Sequence, residues 1–207
     1  MSNLLFGNDK YSTILNIGDG MVKKEILMVD QDDVISANGF LYLINKFLGT
    51  SYTCSDFKDF YMQDVIPCKE DFFEWFQTQN LYDYTDMVPG CQDVLRELNQ
   101  VYELYIGTSY IFPEIANRCG YIVGQKFDFL QRNLPFISPY QYVFLSNKKL
   151  LQADIKLDDR IDNLDGASVK LLFSAYHNLG YSDSMLQSRG IERMDSWCDV
   201  KRRLLKK

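Results

Sequence analysis

The 207-residue chain contains a single histidine, His177, and that scarcity removes whole classes of chemistry. Ser-His-Asp and Cys-His catalysis are excluded unless His177 serves alone. The five cysteines, at positions 54, 68, 91, 119 and 198, are odd in number and form no CxxC pair. That spacing excludes a disulfide framework and, with so little histidine, a structural zinc site. The cysteines read as buried fillers in a reduced protein, and a cytoplasmic location is expected. No apolar run approaches the ~18 residues of a membrane span, and no signal-peptide pattern opens the chain. An excess of positive charge is missing too: 28 acidic residues stand against 22 basic ones, a net charge of −6. A nucleic-acid polymer is therefore not an expected partner. A small anionic substrate remains compatible, because one site needs only local positive charge or a metal. Glycine (12) and proline (5) are too few, and hydrophobic residues (46%) too many, for a disordered chain.

What is present alternates between two periodicities. Ile26-Leu27-Met28-Val29 is a short, wholly apolar run, as a central parallel strand requires, and it ends in Asp30-Gln31-Asp32-Asp33. Ser36 is placed to cap a helix whose apolar stripe is Phe40, Leu41, Ile44, Phe47 and Leu48, with Gly49 to stop it. Residues 55–80 predict one or two more helices, rich in aromatics, before the Pro89-Gly90 punctuation. Val94, Leu95 and Leu98 mark a helix, and Leu104-Tyr105-Ile106 a strand ending at Gly107-Thr108-Ser109. Helical segments are expected over 113–133. Strands follow at Tyr142 to Leu145, Ile155 to Leu157 and Val169 to Phe173, with a closing helix from Trp197 to Leu205. Alternation of this kind predicts an α/β fold, a Rossmann-like, mostly parallel sheet flanked by helices.

Four of these strands end in polar clusters: Asp-x-Asp, Thr-Ser, Lys148 and Asp158-Asp159. In open α/β sheets the ligand lies beyond the carboxyl ends of the strands, so the clusters are expected to converge. Taken singly each has a bland reading. Asp30 and Asp32 suit a solvated turn, Thr108-Ser109 a helix cap, Lys148-Lys149 a surface and Asp158-Asp159 a turn. Together they assemble carboxylates that a hard cation such as Mg2+ would hold apart, with hydroxyls and an ammonium for a phosphate. A carboxylate can attack phosphorus, and a second one, two residues on along an extended strand end, can serve the same substrate as acid and base. The reading requires Asp30, Lys148 and Asp158 to meet.

In order and placement, these motifs resemble the haloacid dehalogenase superfamily of phosphatases, and more narrowly the pyrimidine 5′(3′)-deoxyribonucleotidases. The likeness runs through Met28-Val29-Asp30-Gln31-Asp32-Asp33-Val34, Val88-Pro89-Gly90, Gly107-Thr108-Ser109, Lys148, Asp154 to Arg160, Leu172-Phe173 leading to His177-Asn178, and Trp197, covering roughly 24–205. The resemblance implies Asp30 as nucleophile and metal ligand, and Asp32 as general acid/base with its carbonyl on the metal. It implies Thr108, Ser109 and Lys148 on the phosphate, Lys148 also stabilising the pentacoordinate charge, with Asp158 completing the Mg2+ site and Asp159 behind it. Residues 1–23, polar with Gly at 7, 18 and 20, are expected to be a loose N-terminal extension to a core at 24–39 and 89–207, and the resemblance implies a small helical cap at 40–88, inserted after the first strand, whose aromatics pack on a nucleoside monophosphate.

Phe40 is one expected base contact. Phe72, Phe73, Trp75 and Phe76 read mainly as core, yet four large rings in five positions cannot share one helix face, so Phe73 or Trp75 is expected at the cap cleft. His177 is expected to be structural. The chain departs from the family at Asp33, where glycine is usual. Aspartate tolerates left-handed backbone angles, so the turn can survive, while an extra carboxylate bears on catalysis. The family's aromatic after the first motif is also replaced, with Asn38 at that place. The alternatives are a phosphatase for another small phosphate ester, phosphoryl transfer, and a weakened nucleotide-binding module. Oligomeric state, a homodimer included, is left open.

Overall fold

The computed structural model describes residues 23–205, so the expected extension lies outside the described residues except for Lys23. Six parallel strands form the sheet: β1 (Ile26–Val29), β4 (Glu103–Thr108), β5 (Tyr142–Phe144), β6 (Ala153–Asp158), β7 (Ala167–Phe173) and β8 (Ile191–Met194). Their order is β5-β4-β1-β6-β7-β8. The wholly apolar β1 therefore lies in the middle, with Leu27 and Val29 fully buried. Two-residue strands β2 (Ser36–Ala37) and β3 (Asp86–Met87) pair antiparallel beside it.

The helices are α1 (Gly39–Leu48), α2 (Lys69–Phe76), α3 (Cys91–Val101), α4 (Gly120–Asn133), α5 (Asp183–Ser188) and α6 (Trp197–Leu205). No helix among the described residues is long and apolar enough to cross a membrane. Ser36 does not cap α1. It lies buried in β2, its hydroxyl 3.3 Å from the Gln31 carbonyl and from Asp32 Oδ1. Asn38 stands before the helix instead, at φ 70°, and Gly49 ends it at φ 67°. Strand β8 and helix α5 were not expected. Ile191-Glu192-Arg193-Met194 lies at the sheet edge and has two polar residues between its two buried apolar ends, so it offers neither an apolar block nor a period-2 pattern.

The β2–β3 pair fixes where the chain leaves the core and where it returns, and Val88 N donates to Ile35 O at 2.8 Å there. The intervening stretch holds α1, α2 and three 3₁₀ turns. It packs against itself largely through Phe72, Phe76, Phe40 and Phe47. Gly39 sits where the stretch begins, and a Cβ there would lie 1.9 Å from Thr85 Oγ1 and 3.0 Å from the Leu81 carbonyl. Thr85 cannot turn aside freely, because its hydroxyl donates to that carbonyl at 2.9 Å. Gly39→Ala is expected to cost about 1–3 kcal/mol through overpacking, read as a lower midpoint of denaturant unfolding.

Candidate active site

The carboxyl ends of the central strands bring the expected clusters together. Asp30 follows β1 directly, its N–H donating to Leu157 O on β6 at 2.9 Å. Asp158 ends β6, and Asp159 follows. Lys148 opens the 3₁₀ turn after β5. Its Nζ lies 2.5 Å from Asp30 Oδ2 and 2.7 Å from Asp158 Oδ2, and all three side chains are buried. The meeting of Asp30, Lys148 and Asp158 that the sequence requires is therefore observed. Asp158 Oδ1 is fixed separately, by Arg160 N at 3.0 Å and Asn163 Nδ2 at 2.9 Å.

Crowding sets the electrostatics. Burial, then the neighbouring Asp158 carboxylate, raise the Asp30 pKa well above the carboxylate range against the pull of Lys148. Asp159 is raised in the same way, by burial, Asp158 and Asp33. Burial also works against charge on Lys148, yet Asp158 and Asp30 overcome it and hold the ammonium above the ordinary lysine range. Asp30, Asp158 and Asp159 each offer a carboxylate oxygen within 4.8 Å of the others. The all-oxygen donor set and the mutual repulsion fit a hard divalent cation, so the cluster is suited to a metal ion.

Asp32 is held by groups the sequence reading did not identify. Lys126 Nζ bonds Asp32 Oδ2 and lies 2.6 Å from Thr108 Oγ1, and Tyr82 donates its hydroxyl to Asp32 Oδ1 at 2.7 Å. Burial acts to raise Asp32, but Lys126 and then Tyr82 hold it below the usual range. The Asp32 side chain nevertheless stays half-exposed, on the wall of a cavity. A lysine in mid-helix normally reads as solvated. The signal for Lys126 is that it shares the buried stripe of α4 with Ile122, Phe129 and Leu130.

Asp33 adopts φ 58°, the left-handed turn for which glycine is usual, so the substitution keeps the loop. Trp197 Nε1 donates to Val34 O at 2.8 Å and pins that loop from α6. Burial and the Asp32 charge push the Asp33 pKa up to about 7. Asp33, Asp159 and His177 form a second close group, with His177 Nε2 2.7 Å from Asp159 Oδ2. His177 thus stands at the site rather than away from it. Burial lowers its pKa against the opposing charge of Asp33, favouring the neutral ring.

The cavity, about 240 Å3, is lined by Asp30, Asp32, Ser109, Lys126, Lys148 and Asp159 among others. Thr108 is not on its wall: it is fully buried, with its hydroxyl engaged by Lys126. Asp158 too lies behind the lining. Phe40 does line the cavity, as expected. Phe73 and Trp75 do not. Phe73 shares the buried face of α2 with Phe72 and Phe76, while Trp75 packs on Phe47. The aromatic lining comes instead from Phe60, Tyr61, Tyr82, Tyr110, Phe112 and Tyr176.

The family model described as "5' nucleotidase, deoxy (Pyrimidine), cytosolic type C protein" matches residues 24–207. The 5'(3')-deoxyribonucleotidase of Bacillus subtilis is 28% identical over 192 residues, 88% of this chain and 99% of that protein. A putative 5'(3')-deoxyribonucleotidase of Staphylococcus epidermidis is 22% identical over 184 residues, 86% of this chain and 94% of its own length. In fold, the chain is similar to the crystal structure of a predicted phosphatase from Clostridium acetobutylicum, with a TM-score of 0.59 at 14% identity, covering 88% of this chain and 99% of the other. The protein is a phosphoric monoester hydrolase, and it belongs to the cytosolic type C deoxy-pyrimidine 5′-nucleotidase family.

Proposed function

We propose that the protein is a Mg2+-dependent nucleotidase that hydrolyses deoxyribonucleoside monophosphates through a phosphoaspartate. One observation carries the reading: Asp30, Lys148 and Asp158 meet within hydrogen-bonding distance, and Asp30 and Lys148 open onto a cavity rich in aromatic side chains. The substrate class is supported by the matching relatives, which are described as 5'(3')-deoxyribonucleotidases.

In the proposed reaction an Asp30 carboxylate oxygen attacks phosphorus, and the bond from phosphorus to the sugar oxygen breaks. Lys148 and Ser109 hold the phosphoryl oxygens as charge accumulates on them. Lys126 and Tyr82 hold Asp32 ionised in the free enzyme; the negative charge of a phosphate bound beside it favours uptake of a proton from solvent, and Asp32 passes that proton to the departing alkoxide, which leaves as the nucleoside hydroxyl. Asp32 then takes a proton from water as that water attacks the phosphoaspartate, releasing phosphate and restoring Asp30. Asp30, Asp158 and Asp159 with the Asp32 carbonyl would hold the metal, which when bound supplies Lewis-acid polarisation of a phosphoryl oxygen. Residues 40–88 act as the cap, and Phe40 serves as one wall for the base. Lys126 and Tyr82 aim the Asp32 carboxylate into the cavity.

The test is phosphate release from a panel of deoxy- and ribonucleoside monophosphates beside simple sugar phosphates. Deoxypyrimidine nucleotides are expected to be the best substrates, chelation to stop turnover, and added Mg2+ to restore it. Equal turnover in chelator, or activity confined to a non-nucleotide ester, would overturn the proposal.

A further inference from the structure

Beyond the phosphate, a nucleotide site must hold a base, and the cavity's polar side chains are mostly spoken for. Asn38 Nδ2 donates to Asp86, Asn163 Nδ2 to Asp158 and Thr85 Oγ1 to the Leu81 carbonyl. Gln63 differs. It lies in the 3₁₀ turn Met62–Val65, is 4% exposed and lines the cavity beside Met62. Its Nε2 lies 3.2 Å from Glu114 Oε1. A carboxylate can only accept, so this bond fixes the amide: nitrogen toward Glu114, oxygen away from it. Among the described residues, Gln63 Oε1 accepts no hydrogen bond. The Gln31 amide also lacks a partner, but that side chain is closed to solvent and is not on the cavity wall.

We propose that Gln63, oriented by Glu114, reads the hydrogen-bonding edge of a pyrimidine base, an inference that rests on the nucleotidase reading and specifies how the site selects its substrate. The residue is nearly buried while its carbonyl oxygen stays open at the cavity, so the oxygen is free to accept an N–H that a ligand brings in place of water. The ring N–H of uracil or thymine, or the amino group of cytosine, supplies that donor. One Nε2 proton remains after the bond to Glu114, and it matches the acceptor beside that donor on the same base edge. A sugar phosphate without a base offers neither group. Glu114 belongs to the 3₁₀ turn Pro113–Arg118, immediately after the lining residues Tyr110, Ile111 and Phe112. The Gln63–Glu114 bond therefore ties the proposed cap to the core at the side of the cavity, so the base reader is in register only when the two are seated together.

The experiment compares kcat/KM for deoxyuridine 5′-monophosphate, its N3-methyl derivative and 2-deoxyribose 5-phosphate, in the wild type and in Gln63→Met. The wild type is expected to prefer deoxyuridine monophosphate to the N3-methyl compound by about tenfold, and Gln63→Met to bring that ratio close to one, mainly through KM. Glu114 is exposed, so Glu114→Ala keeps the fold, and it is expected to lower the same ratio to an intermediate value. It carries the test if Gln63→Met fails to fold. A ratio unchanged in the folded variants would overturn the role of Gln63 alone. A wild type that cleaves deoxyribose 5-phosphate as well as the nucleotide would overturn the nucleotidase reading, and this inference with it.

Discussion

Asp30→Asn is expected to reduce phosphate release by about 10^3-fold or more, the loss seen when a nucleophile is removed from a site whose other groups remain. An amide oxygen at this position has the size and place of the carboxylate but does not form the phosphoaspartate. Stability should change little, within about 1 kcal/mol, because two effects oppose each other. The variant loses the Asp30–Lys148 ion pair at 2.5 Å, but Lys148 keeps Asp158 as a partner at 2.7 Å. It also removes a buried carboxylate from beside Asp158, the neighbour that most disfavours its charge. Single-turnover phosphate release together with thermal melting measures both quantities. Retention of most of the wild-type rate would eliminate the covalent route, and a collapse of the melting temperature would assign Asp30 a structural role instead.

The features that make Asp30 predictable are the ones that made the fold legible. Strand β1 is wholly apolar, β4 and β5 have apolar centres and β6 alternates as Ala-Asp-Ile-Lys-Leu, but each stops at charge or hydroxyl, and that punctuation marks Asp30, Ser109, Lys148 and Asp158. Side-chain partners across the sequence were less legible. Lys126 lies 94 residues from Asp32, and only its place on the buried stripe of α4 hints that its ammonium points inward. His177 follows β7 by a few residues and reaches Asp159 through a turn that Asn178 secures, donating to the carbonyls of Asp159 and Phe173 at 2.8 Å. The stretch between β2 and β3 was the least legible. Helical spacing says that Phe72, Phe73 and Phe76 share a face, but not whether that face meets the cavity or the hydrophobic core, and here it is the core.

Lys148→Met separates the two tasks the lysine performs. Its ammonium is the only cation in direct contact with Asp30 and Asp158 among the described residues, and both carboxylates are buried. Without it, Asp30, Asp158 and Asp159 face one another uncompensated, and the metal-free protein is expected to lose about 3–5 kcal/mol of stability. A divalent cation binds the folded cluster and not the unfolded chain, so saturating Mg2+ should recover much of that loss. The metal-induced rise in melting temperature should therefore be larger in the variant than in the wild type. Turnover should not recover in parallel. The charge that develops on the phosphoryl oxygens needs a donor at the Lys148 position, and its removal is expected to cost about 10^2–10^3-fold in kcat even with metal saturating. Melting curves and rates measured across one Mg2+ titration read both effects on the same sample. If Mg2+ restored the rate along with the stability, Lys148 would be a counter-ion to the carboxylates alone. Restored stability with a rate that stays low would locate its catalytic work on the transferring phosphoryl group.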